Sequence, residues 1–410
     1  MTVISELRMR PAAREWGWEA STTARLVLSG VVIFVLLVGA NLATPLYPSL
    51  QAELALGPFG TTVAFSSYVI ALVATLVLAG HWSDHIGRRA ALVVSVVVGL
   101  AGTAVFGLAQ NLLMLCGGRV LQGISIALAT GASAAALREL LPSRPEWASR
   151  FTLLSSSGGV AAGPAIGGLL ALLPGGRTAP FVVQMVVLAL LLVPLWLIKA
   201  RPAIMRAEHG FNHRALAPRR LGVPSEARGP FWLAALVGFL SFAIFGFQLS
   251  LAPGFFAQGM HLNSLPLVGV LAGLSLGASA LSQLTGFSGK ATVPVGLTVL
   301  GLSMLLTAWA SNTSALWLLV VSSVAAGFGQ GLSFRTVFNR AAMAVSPTQH
   351  AQMVSTVYVV TYLGSAVPVL GLGLAAAVWG MTTAVTAFAI LSAVAAFLLA
   401  LASLRGSRRV

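Results

Sequence analysis

The densest set of reactive side chains lies between Gly80 and Arg89, where His81, Asp84, His85, Arg88 and Arg89 crowd one short stretch. His81 and His85 stand four residues apart, a spacing that places two imidazoles on one helix face and superficially resembles a metal site. The glycines favour another reading. Gly80 and Gly87 permit a tight turn and close helix approach, and a charge-dense turn accounts for the same residues without a metal. Asp84 is placed to pair with Arg88 and to act on the end of a neighbouring helix. Arg119, Gln122 and Ser125 form a second set inside an apolar run, spaced i, i+3 and i+6 along one helix face. An arginine buried in hydrocarbon is costly, so it faces a wet cavity or a partner, or else it snorkels to the nearer interface. A third set, Ser355, Tyr358, Tyr362 and Ser365, makes a polar stripe at helical spacing.

Enzyme chemistry finds little support in these groups. A membrane-embedded enzyme needs a convergent nucleophile, base and orienting group, or a set of metal ligands. The single Cys116 excludes an internal disulfide and any cysteine-based cluster. The expectation is therefore no catalytic residue, no metal and no cofactor. The nine acidic residues are Glu6, Glu15, Glu19, Glu53, Asp84, Glu139, Glu146, Glu208 and Glu226. None falls in the middle of an apolar run.

The elements that must carry these groups are membrane spans. Of 410 residues, 57% are hydrophobic and 8% charged, and the mean hydropathy is +0.92. A large soluble protein carries roughly a quarter charged residues. Apolar runs of about twenty residues predict helices near 26–48, 60–81, 90–109, 112–137, 151–173, 179–198, 230–252, 265–285, 291–310, 313–336, 351–377 and 381–403. Twelve spans put both termini on one side. The charge is +15, with 24 Lys and Arg. All of these except Arg119, Arg177 and Arg335 fall in the tails and in the connections on that same side. This bias makes both termini cytoplasmic, and it explains the basic charge without nucleic acid. No removable signal peptide is evident, because the first apolar segment is too long and lacks a small-residue cleavage site. Trp16 and Trp18 either rest at headgroup level or belong to a mobile tail.

The chain divides into a tail (1–25), a first six-span half (26–198), a polar loop rich in Arg, His and Pro (199–229), a second six-span half (230–403) and a short tail (404–410). The expected fold is all-α, with twelve membrane helices in two pseudo-symmetric six-helix bundles, the arrangement of parallel-repeat transporters. A weak echo supports it: Arg119–Ser125 in span 4 is similar to Gly327–Ser333 in span 10, with Gln122-Gly123 matched by Gln330-Gly331. Small residues at four-residue spacing let helix backbones approach closely in lipid. They occur in span 5 (Gly159, Gly163, Gly167) and in span 8 (Gly269, Gly273, Gly277), where static packing is the expected role.

Three segments resemble signatures of the major facilitator superfamily. Gly80–Leu92, with Gly80, Asp84, Gly87, Arg88 and Arg89, resembles the motif between its helices 2 and 3. That motif usually has Arg directly after the Asp, and His85 stands there instead. Arg119-x-x-Gln122-Gly123 resembles the helix-4 motif. Gly159–Gly168, with Gly159, Gly163, Pro164, Gly167 and Gly168, resembles the helix-5 motif of the antiporter branch, the drug:proton exporters of multidrug resistance. Pro164 removes one helix hydrogen bond, and the glycines allow a tight seam that hinges while blocking a leak.

The resemblance implies one substrate cavity between the halves and alternating access by rocking. Candidate cavity residues are Asn41, Thr44, Arg119, Gln122, Gln248, Gln330, Arg335, Tyr358 and Tyr362. The implied function is proton-coupled efflux of small organic molecules from a bacterial cell membrane. Because the only buried charges, Arg119 and Arg335, are positive, neutral or anionic substrates are expected. Proton coupling, if present, runs through Glu53, Asp84 or a histidine such as His81. An importer or facilitator of sugars or other nutrients shares the fold, and a receptor or membrane enzyme is a more distant alternative. The expected partners are the bilayer, a small organic substrate and protons; no nucleic acid is expected, and the protein is expected to be a monomer.

Overall fold

The computed structural model describes residues 3–9, 17–199, 216–218, 221–259, 262, 264–285, 287, 289–313, 315–346 and 349–407. Arg10, Arg14, Glu15, Trp16, Arg201, Arg206, Glu208, Arg214, Arg219, Arg220, Arg408 and Arg409 lie outside the described residues. Among the described residues, twelve helices are long and apolar enough to cross a membrane. They are α1 (Thr22–Asn41), α2 (Pro58–Ala79), α3 (Arg88–Gly107), α4 (Leu112–Leu140), α5 (Pro145–Leu170), α6 (Ala179–Leu197), α7 (Arg228–Ser250), α8 (Leu265–Leu284), α9 (Thr292–Thr313), α10 (Leu316–Met343), α11 (His350–Trp379) and α12 (Met381–Ser407). With an even number of crossings, the start of α1 and the end of α12 lie on one face, called here the basic face, and the other is the distal face.

Local chemistry sets the boundaries. Ser21 caps α1 by accepting from the Ala24 amide, and Asn111 caps α4 by accepting from the Met114 amide at 2.9 Å. Pro58, Pro145 and Pro180 stand in the first turns of α2, α5 and α6, where a missing amide hydrogen costs nothing. Gly87, at φ +94°, reverses the chain between the short helix Ser83–Ile86 and α3, a conformation that L side chains resist. The first span differs from its sequence reading. It stops at Asn41, passes through a 3₁₀ turn at Thr44–Leu46 and restarts as a helix at Tyr47–Glu53. Pro45 and Pro48 interrupt the hydrogen-bond ladder there.

The two halves repeat one packing scheme. In the first, α4 packs against α2 and α3, α3 against α6, and α1 against α5; in the second, α10 packs against α8 and α9, α9 against α12, and α7 against α11. Matching glycines make matching contacts. Gly123 of α4 lies on the Tyr68 carbonyl of α2, and Gly331 of α10 lies on the Ser279 carbonyl of α8. A further echo is Pro164-x-x-Gly167 in α5 and Pro368-x-x-Gly371 in α11.

The halves meet through two helix pairs, α5–α8 and α2–α11. Gly168 abuts the Leu265 carbonyl, Gly269 the Pro164 carbonyl and Gly273 the Ala161 carbonyl. The glycines of α8 thus face the seam between the halves, meeting α5 at Pro164 and Ala161, while Gly159, Gly163 and Gly167 of α5 pack on the other side, against Phe34, Val38 and Leu42 of the first span. On the other pair, Gly373 faces Thr62, and Ser66 donates to the Ala366 carbonyl. Phe65, Val69, Leu249, Leu276, Ala366 and Val369 form an apolar plug drawn from both halves. These contacts run from the distal ends of the helices to about mid-membrane.

On the basic face, residues 3–9 pack against the first half, burying Val3 and Met9. Glu6 pairs with Arg89 at 2.7 Å, with both side chains buried. Trp18 exchanges backbone hydrogen bonds with residues 197 and 199, at 2.6 and 2.9 Å. Residues 3–9 therefore pack on α3, and Trp18 ties the tail to the end of α6. Of the central loop, the Leu216 carbonyl accepts from Trp82 Nε1 at 3.1 Å, and Gly222 bonds Thr356 on α11.

Two glycine substitutions separate the α1–α5 contact from the surface. A Cβ at Gly163 would sit 2.6 Å from Asn41 Cβ, while one at Gly371 meets open space. Gly163→Leu is expected to destabilise the protein by about 1–3 kcal/mol through overpacking, and Gly371→Ala to leave it unchanged or slightly stabilised. Thermal unfolding of both variants in detergent checks this.

Candidate functional site

Arg119 stands two turns into α4 from the distal end. Its side chain is folded inward and is only 2% exposed, so it does not snorkel. One guanidinium nitrogen donates to the Ala40 carbonyl and to Gln122 Oε1, the latter at 3.1 Å, and the other donates to the Tyr47 hydroxyl. The Phe106, Tyr47 and Tyr68 rings lie 4.8, 5.6 and 6.0 Å from it, centroid to carbon. Aromatic faces attract a cation most strongly where water is excluded. Among the described residues no carboxylate pairs with this arginine. Oxygen dipoles and ring faces hold a full positive charge inside the first half, which makes the interior electropositive.

The sequence candidates divide into three groups. Gln122 is the acceptor for Arg119. Asn41 and Thr44 are buried at the distal end of α1, with Asn41 donating to the Leu37 carbonyl at 2.8 Å and lying against Gly163 of α5. In the second half, Gln330 accepts from Ser279, to which Gln283 donates at 3.1 Å. Gln248 is buried, and its Oε1 has no hydrogen-bond partner. Arg335 is only partly buried and donates to the Gln283 carbonyl near the basic end of α8. The sequence counted it as a buried charge; its place beside the last turn of α8 corrects that to a half-open one.

Tyr358 and Tyr362 join a ring cluster that sequence reading missed. Phe338 and Tyr358 are 5.1 Å apart between centroids, Phe242 and Tyr362 5.2 Å, Phe334 and Phe338 5.6 Å, Phe242 and Phe334 5.9 Å, and Tyr358 and Tyr362 6.0 Å. Five rings from α7, α10 and α11 thus form a continuous wall. The signal lay in Phe334 and Phe338, four residues apart on α10 as Tyr358 and Tyr362 are on α11. Leu363, Val367, Leu374 and Val378 mark the exposed, lipid-facing stripe of α11. The helical period puts Ser355, Tyr358, Tyr362 and Ser365 on the opposite side. Tyr362 also packs against the core of the first half and against the distal plug. The wall therefore faces inward, on the basic side of the plug.

The charges of Gly80–Arg89 are all engaged at the basic face. Asp84 pairs with Arg88 at 2.6 Å, and Arg88 also bridges to Glu139 of α4 at 2.7 Å. The rings of His81 and His85 meet edge to face at 5.9 Å. Glu53 is held by Arg177 at 2.5 Å on the distal face. Every described carboxylate lies near a helix end, and none reaches the middle of the bundle.

These features are matched among known proteins. Residues 30–291 fit the family described as Major Facilitator Superfamily, and the chain belongs to that family. It is 30% identical over 143 residues to Multidrug resistance protein 1 of Bacillus subtilis (34% of this chain and 36% of that protein). It is 33% identical over 150 residues to Tetracycline resistance protein, class D, of Salmonella ordonez (35% and 37%). An uncharacterized MFS-type transporter of Mycobacterium tuberculosis matches at 31% over 167 residues, 39% of this chain. The matched stretches span only 24% to 37% of these relatives. Among solved structures, an inward-facing, unoccupied bacterial homolog of the human lysosomal transporter Spinster superposes with a TM-score of 0.74 at 16% identity, covering 95% of this chain and 96% of that one. The human organic anion transporter MFSD10 superposes at 0.62 with 17% identity, covering 93% and 100%. At such identities these two matches establish the fold.

The Arg119 cage has a direct test. Tyr47→Phe and Arg119→Gln should each destabilise the protein by about 1–3 kcal/mol by orphaning a buried partner. The double variant should fall clearly short of the sum, because both changes break one network. Additive losses in thermal unfolding would show that the two residues act separately.

Proposed function

We propose that this protein is a secondary active transporter that exports small organic molecules, neutral or anionic, in exchange for protons. The supporting observation is the distal seam. Glycine-on-carbonyl contacts between α5 and α8 close one face; from the segment that resembles the exporter motif they draw on Gly168 and the Pro164 carbonyl, while Gly159, Gly163 and Gly167 seat α5 on α1. In this reading both termini are cytoplasmic, because Lys and Arg concentrate on the basic face. The distal seal then faces outward, and the ring wall opens toward the cytoplasm, ready to load cargo. Rocking of one six-helix half against the other would transfer the opening to the outside.

The charge distribution supports the choice of substrate. A cation drawn into the bundle would meet Arg119 and no interior carboxylate; a neutral or anionic molecule would not face that repulsion. The relatives named for multidrug and tetracycline resistance support export over nutrient import. Proton exchange is assigned to the groups at the two faces, Asp84 with its Arg88 partner, His81, and Glu53. The transporter works as a monomer in the bacterial cell membrane.

Uptake into inverted vesicles tests the proposal. Anionic and neutral probes should accumulate in a protein-dependent way, with loss of accumulation when the proton gradient is collapsed. Selective accumulation of cationic probes, or transport indifferent to the gradient, would overturn substrate class or coupling respectively.

A further inference from the structure

We infer that the ring wall of α7, α10 and α11 is a stacking subsite for flat aromatic molecules that carry an acidic group at the ring edge, with Arg335 as the anchor for that group. The inference rests on the export reading for its biological role, but not for its binding chemistry.

Four observations carry it. First, the wall is continuous: Phe242, Phe334, Phe338, Tyr358 and Tyr362 are linked by centroid distances of 5.1–6.0 Å. Second, four of the five are only partly buried, Phe334 being the exception. Each of the four keeps some accessible surface while packing partly against neighbours, Phe242 and Phe338 on the core of the second half and Tyr362 on the first half and the plug. Rings serving only as core would be covered by neighbours, as Phe106 is at 1% exposure. Third, the chain has four tyrosines, and all four lie at this wall or around Arg119 on the facing half. The rings of Tyr358 and Tyr362 are inclined by 31° with centroids 6.0 Å apart, the smallest tilt in the wall. Offset stacking of a ligand ring adds to the gain from burial alone.

The fourth observation is Arg335. It stands three residues before Phe338 on α10, so the two side chains are neighbours on the helix surface. Both are partly exposed. One guanidinium nitrogen is committed to the Gln283 carbonyl, which fixes the group in place. A planar guanidinium retains further donors in a fork that suits a carboxylate or sulfonate. No described carboxylate lies close enough to neutralise it. A ligand with its ring on Phe338 and Tyr358 and its acid toward Arg335 would satisfy both surfaces.

Equilibrium binding to the full protein in lipid nanodiscs tests the subsite without reference to transport. The probes are 2-naphthoate, 2-naphthol and cyclohexanecarboxylate. The protein should bind 2-naphthoate most tightly. Phe338→Leu and Tyr358→Leu should each weaken it by about threefold to tenfold, with little effect on cyclohexanecarboxylate, and Tyr358→Phe should restore the binding. Arg335→Gln should weaken 2-naphthoate and leave 2-naphthol unchanged. Should the leucine variants fail to fold, photo-crosslinking of an azido-naphthoate to the unaltered protein should label α10 and α11. Equal affinity for the naphthyl and cyclohexyl acids, or labelling confined to other helices, would overturn the inference. Ring-selective binding without vesicle uptake would instead sink the export reading and leave the subsite standing, whereas uptake without ring preference would do the reverse.

Discussion

Lipid removes the ordinary reason for helices to associate, because a leucine gains nothing by leaving hydrocarbon for another leucine. What holds the halves of this bundle together is close backbone contact, possible only where side chains are absent. Gly168, Gly269 and Gly273 supply that contact between α5 and α8, while between α11 and α2 Gly373 makes room for the Thr62 side chain. Dispersion at a glycine seam needs near-perfect fit, so such a seam is either closed along its length or open. It is a natural element for a two-state machine. Its position on the distal side leaves the aromatic wall and Arg335 on the basic side of the plug.

The second constraint is electrostatic. Every described acidic side chain stays near a membrane face, tied to Arg88, Arg89, Arg177 or Lys199 where the salt bridges are resolved. The one fully buried charge in the middle of a helix, Arg119, is balanced by a carbonyl, an amide oxygen, a hydroxyl and three ring faces. Removing a charge from water without a counter-ion is expensive, and the first half bends its α1 end around this arginine to satisfy it. The break in α1 at Thr44–Leu46 brings Tyr47 within reach. The electropositive interior follows from this arrangement and bears on the choice of cargo.

Much of this was legible in the chain because its physics is periodic. Span length and the Lys and Arg bias gave twelve helices and their grouping, and a proline among glycines marked α5 as a seam. Three features escaped for a common reason: each is a relation between elements far apart in sequence. Gly269 and Gly273 read as packing glycines, but nothing in the sequence named Pro164 and Ala161 of the other half as their partners. Phe242, Phe334 and Phe338 looked like ordinary apolar residues until α7, α10 and α11 brought the rings together. The tail residues Glu6 and Trp18 carried no sign that they would grip Arg89 and the end of α6. Asn41 and Thr44 were polar enough to suggest a cavity; both are buried, and Asn41 lies against Gly163 of α5.

The account depends on the distal seam being able to part. The direct measurement is the distance between spin labels at Leu172 and Leu267, exposed positions near the distal ends of α5 and α8, with Cys116 replaced by Ser, in lipid across a range of pH and with 2-naphthoate added. Two populations are predicted, a short one matching this structure and a longer one whose share changes with proton concentration or ligand. A single short distance under every condition would contradict the account.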